Sequence, residues 1–156
     1  SGSVSLKREK INIKNLIEDI IDLWEPLAEE KGVTLNNECD ADMYLEGNKN
    51  LLSQAISNLI DNSIKYGKDK NTVNIGSKDN KDNIVIWVSD KGPGIQDSDK
   101  EKVLDRFIRL DTSRNTSGTG LGLSLVASMI KFHKGDLELL DAKPKGLIVK
   151  LQIPYS

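Results

Sequence analysis

Apolar side chains recur at helical spacing in three stretches of the chain. The first covers residues 15–31 and is followed by Gly32, and the second covers about residues 48–66, with Asn48 as its cap. The third covers about residues 120–134 and is followed by Gly135. Glycine suits the left-handed turn that ends many helices. The pattern therefore predicts three long helices.

Shorter apolar or alternating segments predict six strands, at residues 33–38, 43–46, 72–77, 84–89, 136–140 and 147–153. The charged turn 78–83 joins two of them into a hairpin, and the turn 143–146 joins the last two. Residues 96–117 are mostly polar and predict a long connection with short helical turns. Helices kept apart from hairpin-connected strands predict an α+β fold. We expect a two-layer α/β sandwich whose mixed, mostly antiparallel sheet carries all three long helices on one face.

The composition predicts one domain without a broad charged field. The chain has 156 residues, of which 37% are apolar, and we assign residues 1–3 to an expression remnant and 4–156 to the domain. Its 22 basic and 24 acidic side chains nearly cancel, so we expect neither nucleic-acid binding nor direct membrane contact. The lone Cys39 and the single histidine exclude a zinc cluster, and the thiol fits a reducing cytoplasm.

Four polar side chains form a stripe on the second predicted helix. Asn58, Asn62, Lys65 and Tyr66 stand at positions i, i+4, i+7 and i+8, within roughly 100° of one another. The stripe borders the apolar face, where an unpaired carboxamide is costly, so a ligand or a metal could satisfy it. The alternative is a carboxamide pair that bonds to nearby backbone.

A carboxylate and two glycines follow a predicted hydrophobic strand. The sequence from Asp90 to Ile95 includes Gly92 and Gly94, which permit close approach of the backbone to a ligand. The arrangement suits recognition of a planar group with an amine, such as adenine. An ordinary Asp/Gly/Pro turn is the alternative.

Alternating glycines open the last predicted helix, at Gly118, Thr119, Gly120, Leu121, Gly122 and Leu123. Free N–H groups and the positive end of the helix dipole favour a phosphate there. The spacing does not fit the dinucleotide fingerprint, and the chain contains no P-loop motif. The alternative is that these glycines only ease tight packing.

Four motifs in this order closely resemble the N, G1, F and G2 boxes of sensor histidine kinases. They are residues 58–66, 90–94, 107–109 and 118–123, and residues 10–35 are similar to the family's lead-in from the dimerisation helices. The resemblance implies the Bergerat fold, which DNA gyrase, mismatch-repair and heat-shock chaperone ATPases share. It also implies a cytoplasmic domain of a membrane-bound sensor in a two-component system.

By this resemblance the chain binds ATP and Mg²⁺. Asn62 would hold Mg²⁺ through its oxygen, which suits a hard cation, and Asn58 would lie near the metal and phosphates. Lys65 would contact phosphate, and Tyr66 would pack near the nucleotide. Asp90 would accept a hydrogen bond from the adenine amino group, beside Gly92, Gly94 and Ile95.

The resemblance also assigns a mobile lid at about residues 96–118. Arg109 and Arg114 in the lid would neutralise charge on the transferred phosphoryl group. Backbone N–H groups of Gly118, Thr119, Gly120, Leu121, Gly122 and Leu123 would complete the phosphate cradle. The catalytic set implied in this way is Asn58, Lys65, Arg109 and Arg114.

The family's phosphoryl acceptor is a histidine on a separate dimerisation domain, and no match to it is found here. The single histidine, His133, is interpreted as a partly buried structural imidazole that a helix C-terminus stabilises. We therefore expect little autophosphorylation of this chain by itself. The implied partners are the dimerisation and histidine-phosphotransfer domain of the same protein and, through the full-length kinase, a response regulator. The domain by itself is expected to be a monomer.

Three alternatives remain open. Related ATPases have a glutamate base at the position of Asn58, and an amide cannot act as that base, which disfavours hydrolysis. An anti-sigma-type serine kinase shares the fold, but the F box at 107–109 and the long lid favour a histidine kinase. A degenerate interaction module without nucleotide predicts broken motifs, whereas Asn62, Asp90 and the G2 glycines are present.

Overall fold

The computed structural model describes residues 6–39, 41–66, 71–112 and 123–155, except for the side chains of Tyr66, residues 105–112 and Leu123. The elements in chain order are β1 (Glu9–Asn12), α1 (Ile13–Glu30), β2 (Thr34–Asn37), β3 (Tyr44–Gly47), α2 (Lys49–Tyr66), β4 (Thr72–Asn80), β5 (Asn83–Ser89), α3 (Asp97–Thr112), α4 (Leu123–His133), β6 (Asp136–Asp141) and β7 (Leu147–Pro154). Five strands form a sheet in the order β2-β4-β5-β7-β6, and β1 pairs with β3 in a second sheet. The β2–β4 pair is parallel, and the other pairs of the large sheet are antiparallel. The predicted mixed, mostly antiparallel sheet is confirmed.

One face of the large sheet is buried under helices. Ile75, Ile86 and Leu151 on its three central strands have no exposed surface. Helix α1 lies against β2 and β4, α2 against β4 and β5, and α4 against β7, while α2 also contacts both α1 and α4. Fully burying one such side chain stabilises the fold by about 1.5–3 kcal/mol. The predicted two-layer sandwich is therefore confirmed, and its core lies between the sheet and these helices.

Helix α1 begins at a cap that the sequence pattern does not identify. The side-chain oxygen of Asn12 accepts a hydrogen bond from the backbone N–H of Asn15 at 3.0 Å, which satisfies one of the free donors of the first turn. The helix ends at Glu30, and Gly32 then adopts a positive φ of 71°, as predicted. Strand β1, directly before the cap, is absent from the prediction.

The predicted helix count of three is wrong, because the polar connection contains a fourth helix. Helix α3 has 16 residues, and Asp97 and Asp99 lie in its first turn, where the helix dipole favours negative charge. Lys100 adds ion pairs of 2.7 Å to Asp97 and to Asp141 on β6. These contacts are not apolar, so a hydrophobic pattern does not reveal them. As far as the chain is described, none of the helices is long and apolar enough to cross a bilayer.

Two predicted turns also differ from the structure. The β4–β5 turn is two residues long instead of six, with Lys81 at a positive φ of 64°, because both strands continue pairing through residues 78–80. After α4 the left-handed residue is Lys134, with φ 55°, and not Gly135. Gly135 is needed for another reason, since a Cβ there would lie 2.6 Å from the carbonyl oxygen of Gln152.

Candidate functional site

Helix α2 carries two of the predicted site residues at the edge of the core. Its predicted cap is confirmed, because the Asn48 side-chain oxygen accepts a hydrogen bond from the Leu51 N–H at 2.9 Å. Leu59 and Ile60 are buried, whereas Asn58 and Asn62 on the neighbouring face are half-buried, and both of these residues take part in interactions. The structure thus places two carboxamides beside the apolar face of α2.

Lys65 lies near the C-terminal end of α2 and is paired on its own helix. Its ammonium is 3.1 Å from a carboxylate oxygen of Asp61, and half of the lysine side chain is exposed. A pair one helical turn apart with a half-exposed lysine is weak, about 0.3–0.5 kcal/mol. The ammonium can therefore exchange Asp61 for another anion at little cost. The side chain of Tyr66, next in the chain, lies outside the described residues.

Asp90 is fixed at the rim of the sheet, directly after β5. Its backbone N–H donates to the Leu147 carbonyl at 2.9 Å. Its Oδ1 atom accepts hydrogen bonds from the N–H groups of Gly92, at 2.9 Å, and Leu147, at 3.4 Å. A carboxylate that accepts backbone bonds is held in one orientation. Both bonds go to the same oxygen, so Oδ2 is the atom that a bound donor would meet.

Asn71 joins α2, the helix that carries the N box, to the segment that follows Asp90. This side chain is only 4% exposed. Its Nδ2 donates to the Ser63 carbonyl on α2 at 3.3 Å, and its Oδ1 accepts from the Lys91 N–H at 2.9 Å. Ser63 is adjacent to Asn62 and Lys91 to Asp90, so two predicted motifs that are far apart in sequence become neighbours. Sequence reasoning misses Asn71, because an asparagine before a strand has no distinctive local signal.

The β6–β7 turn packs against the segment that follows Asp90. Gly146 has a φ of 113°, and a Cβ there would collide with the Asp90 carbonyl. Gly94 has a φ of 75°, and a Cβ there would lie 3.1 Å from the Gly146 carbonyl oxygen. The sequence predicts only a turn at 143–146. The structure shows that this turn shapes the backbone around Gly92, which is buried, and Ile95, which is half-buried.

The other predicted contacts lie mostly outside the described residues. Arg109 belongs to helix α3, but its side chain is not described. Arg114 falls outside the described residues, as do Gly118, Thr119, Gly120, Leu121 and Gly122. Leu123 is the first residue of α4, described as backbone only. Helix α4 packs against both α2 and α3, so the chain after the G2 motif runs beside the N-box helix.

An open cleft of about 520 Å³ lies on the other face of the sheet. Trp87, Asp90 and Lys91 are among its lining residues, but the described lining includes no residue of α2. The indole N–H of Trp87 donates to a Glu38 carboxylate oxygen at 2.7 Å. This cleft does not bring the predicted motifs together, so it is not the candidate site.

His133 is buried at the C-terminal end of α4, with 4% of its surface exposed. Its Nδ1 lies 2.7 Å from the Met129 carbonyl oxygen, and its Nε2 accepts the Asn48 N–H at 3.0 Å. A carbonyl at Nδ1 and an N–H at Nε2 require the neutral tautomer with the proton on Nδ1. Burial lowers the pKa of His133, and the Arg8 cation adds to this effect. The imidazole is structural, as predicted, but it is neutral and deeply buried, so stabilisation by the helix dipole is not its role.

Comparison with known proteins identifies the family. Residues 47–156 match the model of the family "Histidine kinase-, DNA gyrase B-, and HSP90-like ATPase". Sensor histidine kinase WalK of Bacillus subtilis is 33% identical over 160 residues, which cover 100% of this chain and 26% of WalK. The chain spans between 26% and 38% of the length of WalK, SenX3 of Mycolicibacterium smegmatis and PcoS of Escherichia coli.

Solved structures show the same fold. The nucleotide-free catalytic domain of histidine kinase ThkA superposes with a TM-score of 0.83 at 24% identity, covering 96% of this chain and 97% of that domain. ThkA has also been solved with the response regulator protein TrrA, with a TM-score of 0.79 at 23% identity over 96% of this chain and 42% of that one. Full-length ShkA with AMPPNP gives a TM-score of 0.83 at 20% identity, covering 100% of this chain and 33% of ShkA. With the Bergerat fold and the family model in agreement, the chain belongs to the histidine kinase-, DNA gyrase B- and HSP90-like ATPase family and is a histidine kinase ATP-binding domain.

Proposed function

We propose that this chain binds Mg-ATP and donates the γ-phosphoryl group to a histidine on a separate dimerisation domain of the same sensor kinase. The observation that carries the proposal is the Asn71 bridge between Ser63 on α2 and Lys91 in the G1 segment. Through this bridge one side chain ties the backbone next to Asn62 to the backbone next to Asp90. A ligand with a planar amine at one end and phosphates at the other fits such a pair of motifs.

Asp90 provides the recognition of the base. The backbone N–H groups of Gly92 and Leu147 hold Oδ1, which leaves Oδ2 to accept from the adenine amino group. A Cβ at Gly146 would collide with the Asp90 carbonyl, and one at Gly94 would lie 3.1 Å from the Gly146 carbonyl oxygen. Glycine at both positions would let the backbone approach the base closely. The contact is specific, because a base with a carbonyl at that position offers no donor to a carboxylate.

The donor set fits a metal that is bound through the nucleotide. Within the described residues no group of three His, Cys, Asp or Glu side chains could hold a metal. Mg²⁺ in nucleotide sites takes few protein ligands and draws the others from phosphates and water. Asn62 would supply one amide oxygen, and bound Mg²⁺ would neutralise charge on the phosphates. Asn58, one turn earlier on the same face, would lie close to them.

The side chains on α2 favour transfer over hydrolysis. Asn58 is an amide and cannot take a proton from water, which a hydrolytic base must do. Lys65 can leave its weak pair with Asp61 to contact a phosphate. Arg109 and Arg114 in the lid would then stabilise charge on the transferred group. Together these residues position and stabilise the phosphoryl group while leaving its acceptor to another domain.

His133 is unsuited as that acceptor. Both ring nitrogens are engaged and the ring is buried, so no nucleophilic lone pair faces solvent. We therefore assign the acceptor to the dimerisation and histidine-phosphotransfer domain of the full-length protein, and the next transfer to a response regulator. The solved complex of ThkA with TrrA and the resemblance to sensor kinases support this assignment. We place the domain in the cytoplasm, as part of a membrane-bound sensor.

Calorimetric titration with a non-hydrolysable ATP analogue, with and without Mg²⁺, tests the metal contact. The parent chain should bind more tightly with Mg²⁺, and Asn62→Leu should lose most of that difference. Asn50→Leu is the matched control, because Asn50 is exposed in the first turn of the same helix. Equal Mg²⁺ dependence in the parent chain and Asn62→Leu would remove Asn62 from the metal site.

Transfer itself is tested with ATP labelled in the γ-phosphoryl group. The chain by itself should stay unlabelled, and label should appear on the dimerisation domain of the full-length kinase when that domain is added. Labelling of the chain alone that disappears in His133→Ala would contradict the assigned acceptor.

A further inference from the structure

Asn48 connects three parts of the molecule. Its Oδ1 caps α2, its Nδ2 donates to the Lys7 carbonyl at 2.9 Å, and its backbone N–H donates to His133 Nε2 at 3.0 Å. It is itself 8% exposed. The first turn of α2, the last turn of α4 and the backbone at Lys7 are therefore held at one point. The bond to His133 is buried and the other two are part-buried, so breaking them leaves polar groups without partners in places of limited access to water.

Arg8 adds a second connection between the same segment and α4. Its guanidinium lies 4.5 Å from the centre of the Phe132 ring and donates to the Phe132 carbonyl at 2.9 Å. A longer bond of 3.5 Å reaches the Glu46 carbonyl on β3. The carbonyls of a last helical turn lack helical partners, and a cation there is favoured by the helix dipole. Arg8 thus caps α4 from a different part of the chain.

Both helices lead to the candidate nucleotide site. Helix α2 runs from its cap at Asn48 past Asn58 and Asn62, and α4 begins at Leu123, the last residue of the G2 motif. The two helices pack against each other. Because Lys7 and Arg8 contact the start of α2 and the end of α4, we expect a change at residues 7–8 to alter how these two helices pack.

We propose that Arg8 is a positioning residue for the nucleotide site, which it affects by holding the C-terminal end of α4 against the start of α2. The proposal rests on the proposed function, since it assumes that α2 and the G2 segment bind nucleotide. Its consequence is that the placement of residues 7–8 sets nucleotide affinity from the opposite end of both helices. Couplings of this kind commonly change affinity by roughly fivefold or more.

The chain offers a matched control two residues away. Lys10 lies on β1, which begins directly after Arg8, and its ammonium is 4.6 Å from the Tyr44 ring. Lys10→Ala therefore removes the same charge and the same type of cation–π contact from β1, but it does not touch α4. Arg8→Lys keeps the charge and a donor for the Phe132 carbonyl.

The experiment measures AMPPNP–Mg²⁺ affinity by calorimetry and, without nucleotide, the NMR signals of the Asn58 and Asn62 side-chain amides. Arg8→Ala should weaken binding by roughly fivefold and move both amide signals. Arg8→Lys should restore most of the affinity and return the signals close to their parent positions. Lys10→Ala should change neither the affinity nor the signals. Equal affinities and unmoved signals in Arg8→Ala would overturn the proposal, whatever happens to the melting temperature. If the parent chain binds no nucleotide, the proposed function fails instead. The amide signals then decide the coupling alone: movement in Arg8→Ala supports it, and no movement overturns it.

Discussion

Helices α1 and α3 have 18 and 16 residues but are held in different ways. Six side chains of α1 are buried in the core, whereas the side chains described for α3, those of residues 97–104, include none that is fully buried. The start of α3 is fixed by Lys100 and its two carboxylates. Local opening is cheapest where few apolar contacts are lost. The molecule thus contrasts α1, which is packed into the core, with the start of α3, where ion pairs add to the partial burial of Val103 and Leu104.

The largest expected effect lies in the packed helix α1. Ile17 on α1 has no exposed surface, so Ile17→Ala should lower the free energy of unfolding by about 2–5 kcal/mol through lost burial and a cavity. Leu23→Ala on the same helix is the control, since Leu23 is 72% exposed and should change it by less than about 0.5 kcal/mol. Urea unfolding of both variants measures the difference. Similar losses at the two positions would contradict the assignment of the buried face of α1.

The second-largest effect is expected at Asn71, which links α2 to the segment after Asp90. Asn71→Ala removes a buried bond to the Ser63 carbonyl and a part-buried bond to the Lys91 N–H, so stability should fall by about 1–3 kcal/mol. Nucleotide affinity should fall as well, because the G1 segment loses its tie to α2. The control is Asn36→Ala, which removes an exposed bond of 3.0 Å to Asn74. A stability loss without any change in affinity would mean that Asn71 supports the fold but not the site.

A smaller effect is expected from acid, at the buried imidazole that joins α4 to α2. Burial and the Arg8 charge lower the pKa of His133 below 6.5, so the unfolded state binds a proton first as pH falls. The free energy of unfolding should be unaffected by His133 above pH 6.5 and should decrease below it, until the pH passes the folded pKa. Denaturant unfolding between pH 7 and pH 5 measures this slope. His133→Gln keeps an acceptor for the Asn48 N–H without titrating, and an unchanged slope in that variant would assign the effect to other groups.

The smallest effect is expected at the start of α3. Lys100→Ala removes both ion pairs at the start of α3, but these pairs are at the surface, and we expect no measurable change in global unfolding. Backbone amides after Asp99 should nevertheless exchange with solvent faster. Lys102→Ala is the control, because Lys102 is exposed on the same helix. Unchanged exchange in Lys100→Ala would show that α3 is held by its apolar contacts after all.

The same contrast explains which parts of the fold could be predicted. Helices α1 and α2 were predictable because their apolar stripes are local signals, as is the cap at Asn48. Helix α3 was not, because one of its anchors, Asp141, lies 41 residues from Lys100. Strand β1 was missed because its four residues form a strand only through pairing with β3.

In the candidate site, the four motifs are recognisable in the sequence by resemblance. The two residues that support them, Asn71 and Gly146, are not. Asn71 acts through backbone groups of two distant segments, and Gly146 through contact with the Asp90 carbonyl. Neither role changes the local pattern of the sequence. The roles of Asn58, Asn62 and Asp90 toward nucleotide stay predictions until they are measured.

The most direct test of the account is the affinity of the parent chain and Asp90→Asn for ATP and GTP analogues with Mg²⁺. Asparagine keeps the oxygen that accepts from Gly92 and Leu147, and it can place a donor where Oδ2 meets the base. The parent chain should prefer the adenine nucleotide, because the Asp90 carboxylate can accept from the adenine amino group. Asp90→Asn should lose most of this affinity while melting at the parent temperature. Equal binding of the ATP analogue by a folded Asp90→Asn, or none by the parent chain, would contradict an adenine site at the end of β5.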